Sequence, residues 1–240
     1  MSDEFAGKSS VEEIRRRFDQ DVERFSNLTA GHTATVDAAL AMELVAAAAA
    51  AVCPQARSVV DIGCGAGNYT LKLLERLPGL DVTLVDLSRP MLERATERIA
   101  PVTSGRVEAL QADIRELDLG EEQHDIILAA AVFHHLRGEE EWAAVFANCR
   151  RALRPGGGLF VFDLVEHPHP GVQSLLWARY GEYLFELKGE EYRRQVYAYI
   201  QHEDTPRPLY FQLRLLEQSG FSLVDVLHKH TCFAAFYGVR

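Results

Sequence analysis

VVDIGCGAGNY, residues Val59 to Tyr69, is the stretch whose reading decides the fold: an apolar run ends in an acid and turns through closely spaced glycines into a helical pattern. Ser58 to Ile62 has the β-branched content of a buried parallel strand, and Leu71, Leu73, Leu74 and Leu77 continue it as a helix over Tyr69 to Leu77. Gly63, Gly65 and Gly67 fall at the joint. Lacking a Cβ, they can take positive φ and turn backbone N–H groups toward a ligand above the strand end. The spacing departs from the dinucleotide fingerprint G-x-G-x-x-G, because the third glycine comes one place early and Asn68 stands where the last should be. A nicotinamide-dependent oxidoreductase is therefore disfavoured.

Working outward, the following strands also end in acids. Asp81 to Asp86 (DVTLVD) is the next strand, and Asp86 lies roughly 20 residues beyond Gly67, where an acid on the second strand reaches the ribose hydroxyls of a nucleotide. Ser88 and Pro90 open a helix whose inner stripe is Met91, Leu92, Ala95 and Ile99. Arg106 to Leu110 leads to Asp113 and Ile114, again at a strand's carboxyl end, the edge on which open parallel sheets bind ligands. Asp125 to Val132 (DIILAAAV) is apolar throughout and so covered on both faces. Its Ala129, Ala130 and Ala131 leave room beside the strand end, and Phe133-His134-His135-Leu136 follows. Trp142, Val145, Phe146, Cys149 and Leu153 form a helical stripe, stopped by Arg154-Pro155-Gly156-Gly157-Gly158 before a fifth strand, Leu159 to Leu164.

The pattern D-x-G-x-G-x-G from Asp61 to Gly67 resembles motif I of the class I S-adenosylmethionine-dependent methyltransferases. LRPGGGLFVFD, Leu153 to Asp163, resembles the turn and strand after the fourth helix of that family, so the likeness runs from about Ser58 to Leu164. It implies a doubly wound α/β sheet of seven strands, mostly parallel with an antiparallel last strand. It further implies S-adenosylmethionine as cofactor, with Asp61, Gly63, Cys64, Gly65, Gly67, Asn68, Asp86, Leu87, Asp113, Ile114 and Ala130 as the cofactor-binding set. In that scheme Asp86 takes the ribose, Asp113 accepts from the adenine amino group while Ile114 packs on the ring, and Asp61 organises the turn beside the methionine moiety. The paired histidines resemble the post-strand signature of many small-molecule methyltransferases. His134 is the catalytic candidate, since a neutral imidazole can take a proton from an attacking hydroxyl or amine near neutral pH. The bland reading has one histidine capping a helix and the other filling a polar gap. The implied reaction is in-line methyl transfer to an O, N or C nucleophile of a small molecule. Two alternatives stay open: a carboxy-S-adenosylmethionine synthase, which the opening FDQDVERFSN loosely resembles, and a non-catalytic adenosyl-binding protein.

The flanks read as additions to one methyltransferase-like domain, with 55–164 its cofactor-binding core. Residues 1–54 form a helical N-terminal cap. Ser10 and Glu13 make a capping box, and Val11, Ile14, Phe18, Val22 and Phe25 form an apolar face. Phe18 and Phe25 are expected in the core, with a role over the methionine end, shared with His32, as the other reading. Arg15, Arg16 and Arg17 are expected on the solvated face. A second helix runs from about Thr35 through an alanine tract to Cys53-Pro54. Residues 165–208 are a lid insertion, amphipathic and rich in tyrosine; His167 and His169 lack a completing ligand set, so no metal is expected. Residues 209–240 give a helix and two closing strands, with His228 and His230 on one face and structural.

Composition limits the partners. The net charge of −10 over 240 residues opposes a phosphate-tracking surface, so a small-molecule substrate is expected and nucleic acid is not. Cys53, Cys64, Cys149 and Cys232 are scattered as reduced, buried thiols would be. With no signal-peptide pattern and an alanine tract too short for a bilayer, a soluble cytoplasmic protein without membrane attachment is expected. The reading leaves room for a homodimer.

Overall fold

A computed structural model describes residues 5, 7–27 and 33–240. The glycine-turn strand, β1 (Ser58–Ile62), is flanked by β2 (Asp81–Asp86) on one side and β4 (His124–Ala130) on the other, both parallel to it. β3 (Val107–Gln111), β5 (Leu153–Leu164), β6 (Ser222–His230) and β7 (Phe233–Val239) complete a seven-stranded sheet in the order β3-β2-β1-β4-β5-β7-β6. Only β7 is antiparallel, inserted between β5 and β6. The chain winds outward from β1 through β2 to β3, then returns to β4 on the opposite side. That reversal opens a crevice at the carboxyl ends of β1 and β4, where ligands bind in doubly wound sheets.

Alternation along β1 builds two apolar layers. Val59 packs with α3 (Ala38–Val52), α4 (Asn68–Leu74) and α5 (Arg89–Ile99), whereas Val60 and Ile62 pack on the other face with α6 (Glu139–Ala152) and α8 (Leu209–Gln218). The predicted α5 stripe is fully buried, and Ser88 caps that helix by accepting from the Met91 amide. The capping box at Ser10 and Glu13 is present and opens α1 (Val11–Gln20), followed by α2 (Val22–Ser26). Leu153 differs from its expected place on α6: it begins β5 opposite His124, so the glycine run lies within the strand rather than ahead of it. The segment after β5 is the long helix α7 (Pro170–Glu203), broken at Lys188 and Gly189, where Gly189 has φ +81°. His169 caps α7 by accepting from the Gly171 amide, and His167 pairs with Gln173, so both are occupied locally. All four cysteines are buried free thiols. Among the described residues no helix is long and apolar enough to cross a membrane. His32 lies outside the described residues.

Candidate active site

The glycine turn, the strand-end acids and the paired histidines open on one cavity of about 600 Å³. Its nucleotide half begins at the turn. Gly63 and Gly65 take φ of +64° and +50°, and a Cβ on Gly63 would lie 2.3 Å from Val132 Cγ2. A Cβ on Gly65 would meet nothing within 4 Å, so the turn leaves open space in front of that residue. Gly67 packs toward α5. It is absent from the cavity wall, and a Cβ there would come 2.6 Å from Ile99 Cδ1, so its missing side chain lets α4 approach α5. Cys64 and Asn68 do line the cavity, with Asn68 Nδ2 donating to the Phe25 carbonyl and its Oδ1 accepting from Arg98.

The acids line up along the sheet edge. Asp86 Oδ2 accepts from the Gly65 amide and Oδ1 from the Ser88 amide, both at 2.8 Å. Burial raises its carboxyl to about 6 against those hydrogen bonds. Asp61 accepts from Thr70 Oγ1 at 2.7 Å, and burial, aided by the nearby charge of Asp86, raises it to about 7. Each of these carboxylates is buried with uncharged donors on it, so hydroxyl or ammonium donors from a ligand would complete them. Burial opposes the charge of Asp113, but Arg115 outweighs it and holds the carboxyl below its ordinary range, through bonds to both oxygens. Leu87, Ile114 and Ala130 supply wall around these polar groups. An open glycine cradle beside an acid with spare lone pairs fits an adenosyl group with a ribose diol.

The other half of the cavity faces His134. This residue sits with Phe133 and His135 in a single 3₁₀ turn after β4, and Ala131 at φ +58° redirects the chain into it. Asp163, near the end of β5, accepts from the His134 amide at 3.2 Å and contacts His134 Nδ1 through its other oxygen. Asp204, just past α7, places Oδ1 3.7 Å from His134 Nε2 and 3.4 Å from His135 Nδ1. Burial disfavours charge on His134, but Asp163 and Asp204 overcome it and raise the imidazole to about 9, so near neutral pH it is protonated rather than the neutral base expected from the sequence. Desolvation, with His134 and several guanidinium groups close by, pushes the half-buried His135 well below the ordinary histidine range.

Two expectations for the N-terminal helices change. Arg17 turns inward rather than to solvent, because Glu203 and the Tyr199 hydroxyl meet its guanidinium while the Phe18 and Tyr199 rings flank it. Phe18 and Phe25, 5.6 Å apart between ring centroids, are half-buried on the cavity wall rather than in the core. From α7, Tyr180, Tyr192, Tyr199 and Ile200 close the same space. Asp163, Asp204 and Arg17 reach the site without a role assigned from the sequence, and His135 is the lesser candidate beside His134. Asp163 carried a readable signal, as a fourth acid near a strand's carboxyl end; Asp204 carried none.

The family described as a methyltransferase domain matches residues 59–157. An uncharacterized methyltransferase of Mycobacterium tuberculosis is 32% identical over 119 residues, 50% of this chain and 55% of that protein, so the chain spans about half the length of such relatives. A demethylmenaquinone methyltransferase of Listeria monocytogenes is 24% identical over 188 residues, covering 76% of this chain and 78% of that protein. Among solved structures, the 1,6-didemethyltoxoflavin-N1-methyltransferase of Burkholderia thailandensis, crystallised with its substrate and S-adenosylhomocysteine, superposes with a TM-score of 0.64 at 19% identity. That superposition covers 98% of this chain and 92% of that one. The sheet order with its single antiparallel strand and the methyltransferase-domain match over residues 59–157 together liken this chain to the class I S-adenosylmethionine-dependent methyltransferases.

Proposed function

We propose that the chain transfers the methyl group of S-adenosylmethionine to an O, N or C nucleophile of a small molecule. One observation carries this reading: the adenosyl cradle at Gly63, Gly65 and Asp86 and the buried group around His134 open on a single cavity roofed by α1, α2 and α7. When bound, the cofactor supplies a methyl group on a sulfonium centre and so the driving force. What remains for the chain is to hold two reactants in line and to exclude water, and orientation of that kind is worth several kcal/mol or more. Asp86 holds the ribose, and Asp61 with the turn fixes the methionine end. Asp113 and Ile114 take the adenine. His134, locked from behind by Asp163, bears on the nucleophilic atom of the acceptor.

The residues 165–208 act as the lid, and its tyrosines favour an acceptor with a flat apolar or aromatic body. That the structural neighbour from Burkholderia thailandensis is named for a methyltransferase of 1,6-didemethyltoxoflavin supports a small-molecule acceptor of this kind. Calorimetry with S-adenosylhomocysteine tests the cofactor half, and its failure to bind would sink the reading. Transfer from methyl-labelled cofactor to a panel of phenols, enols and heteroaromatic amines tests the other half. Tight cofactor binding without transfer to any of them would favour a non-catalytic adenosyl-binding protein. A co-purified ligand heavier than S-adenosylmethionine by a carboxyl group would instead favour the cofactor-modifying alternative.

A further inference from the structure

The acceptor end of the cavity gathers three ligand atoms that methyl transfer alone does not require. His134, His135 and Asp204 each offer one ligand atom, all within 4.8 Å of one another, and Asp204 Oδ1 lies 3.7 Å from His134 Nε2 and 3.4 Å from His135 Nδ1. His135 Nδ1 and Asp204 Oδ1 are buried and have no hydrogen-bond partner, and Asp204 is only 3% exposed. Buried polar atoms without a partner are costly to leave unsatisfied. The arrangement therefore asks for an electrophile shared among them.

Three further features suit a metal ion at that point. Asp163 contacts His134 Nδ1 from behind and so leaves Nε2, on the Asp204 side, as the ring atom that a metal ion would take in place of a proton. Metal-bound histidines characteristically have such a carboxylate on their other nitrogen. The positions are also held by backbone: the Thr205 amide donates to the His134 carbonyl at 2.7 Å, tying the end of α7 to the 3₁₀ turn. Finally, the neighbouring cations are engaged elsewhere. Arg137 spends its guanidinium on the Glu203 and Ser9 carbonyls and the Thr205 hydroxyl, and Arg17 is paired with Glu203. The carboxylates of Asp163 and Asp204 thus supply the negative charge that offsets those guanidinium groups at the two imidazoles.

We propose that His134 Nε2, His135 Nδ1 and Asp204 Oδ1 bind one divalent transition cation of the kind that prefers mixed nitrogen and oxygen ligands, such as Zn²⁺ or Co²⁺. Three protein ligands leave at least one position open. That position faces the cavity and takes an oxygen of the acceptor, which narrows the acceptor class to hydroxyl or enol compounds. The binding claim concerns these residues alone; the acceptor class rests on the methyl-transfer reading above. This set is separate from His167 and His169. It also differs from Asp37, His228 and His230 on the surface, where both ring nitrogens already lie on Asp37 Oδ2, at 3.0 and 2.7 Å.

The surface cluster supplies the control. Protein stripped with a chelator is titrated with CoCl₂, following heat and visible absorption, as wild type, Asp204→Asn, His135→Asn and the double variant Asp37→Ala/His228→Ala. Thermal melts report folding, and S-adenosylhomocysteine affinity is measured on the same samples. The expected result is a one-to-one cobalt complex in wild type and in the double variant, weakened at least about tenfold in Asp204→Asn and His135→Asn. If one of those two does not fold, the other decides. Absence of cobalt binding in wild type means that a shared proton fills the site and overturns the proposal. So does undiminished binding in the folded Asp204 or His135 variant, or loss confined to the double variant. Failure of S-adenosylhomocysteine to bind would defeat the methyl-transfer reading separately, since the cobalt titration does not depend on it.

Discussion

The amide of Gly65 donates to Asp86 Oδ2 at 2.8 Å, so the glycine turn after β1 and the acid that ends β2 are one unit. Asp86 therefore holds the turn in shape, and in the function proposed above its remaining lone pairs take the ribose diol. Asp86→Asn replaces one oxygen by a donor, which faces either the Gly65 amide or the Ser88 amide. Hydrogen bonds to a charged group are worth about 1.5–3 kcal/mol, so S-adenosylhomocysteine affinity should fall by roughly ten- to a hundredfold. Calorimetry on the folded variant checks this, and unchanged affinity would remove Asp86 from the cofactor site.

The same burial gives cofactor binding and ligand-free stability opposite pH trends. Asp86 is raised to about 6 and Asp61 to about 7, both by burial first. An unfolded aspartate titrates near about 4. Between about 4 and 7 the folded protein thus holds the extra protons, and these two groups make it less stable as pH rises through that window. Asp61→Asn should remove part of the penalty, so its Tm relative to wild type should climb between about pH 5 and pH 8. Binding runs the other way, since a protonated Asp86 offers fewer acceptor sites to the ribose. S-adenosylhomocysteine affinity of the wild type should weaken as pH drops below about 6. A flat affinity profile would contradict the role given to the charged carboxylate.

The three glycines should separate by measurement. Gly63→Ala meets both a left-handed φ and the branched Val132 at 2.3 Å, and is expected to cost the most stability, about 2–4 kcal/mol. Gly67→Ala meets φ +81° and the tip of Ile99, a flexible terminal methyl, and should cost less while sparing cofactor affinity. Gly65→Ala bears only the backbone strain of about 1–2 kcal/mol, but its methyl projects into open space at the cradle. It should therefore show the largest loss of affinity per unit of lost stability. Paired melts and titrations of the three variants provide the comparison.

What the sequence made legible follows from period and spacing. Strand-end acids separated by regular helical stripes located Asp61, Asp86 and Asp113 on one sheet edge, and the early third glycine excluded the dinucleotide turn. An amphipathic stripe, however, says only that one helix face is covered. It did not tell whether Phe18 and Phe25 meet the core or a cavity. Charge runs are equally mute about direction, and Arg17 turns inward because Glu203 and Tyr199, far away in sequence, await it. Asp204 reaches the site at the end of α7, a helix whose length and break at Gly189 set the position. No local pattern encodes such a placement.

The inward turn of Arg17 predicts a coupling between the first helix and the lid. Glu203 is 7% exposed and meets the Arg17 guanidinium, which also donates to the Tyr199 hydroxyl at 2.9 Å. Removing one partner of a fully buried pair costs about 3–5 kcal/mol, because the other charge is stranded. Arg17 keeps a quarter of its side-chain exposure, so water takes up part of that loss and Arg17→Ala should cost about 1–3 kcal/mol. Glu203→Gln in the same chain should restore most of it, giving a double-mutant coupling above about 1 kcal/mol. Since α1 and the second arm of α7 roof the part of the cavity that the proposed function gives to the acceptor, loosening their contact should raise the acceptor KM more than it weakens S-adenosylhomocysteine. Equal weakening of both would show that the pair supports the whole cavity rather than its roof.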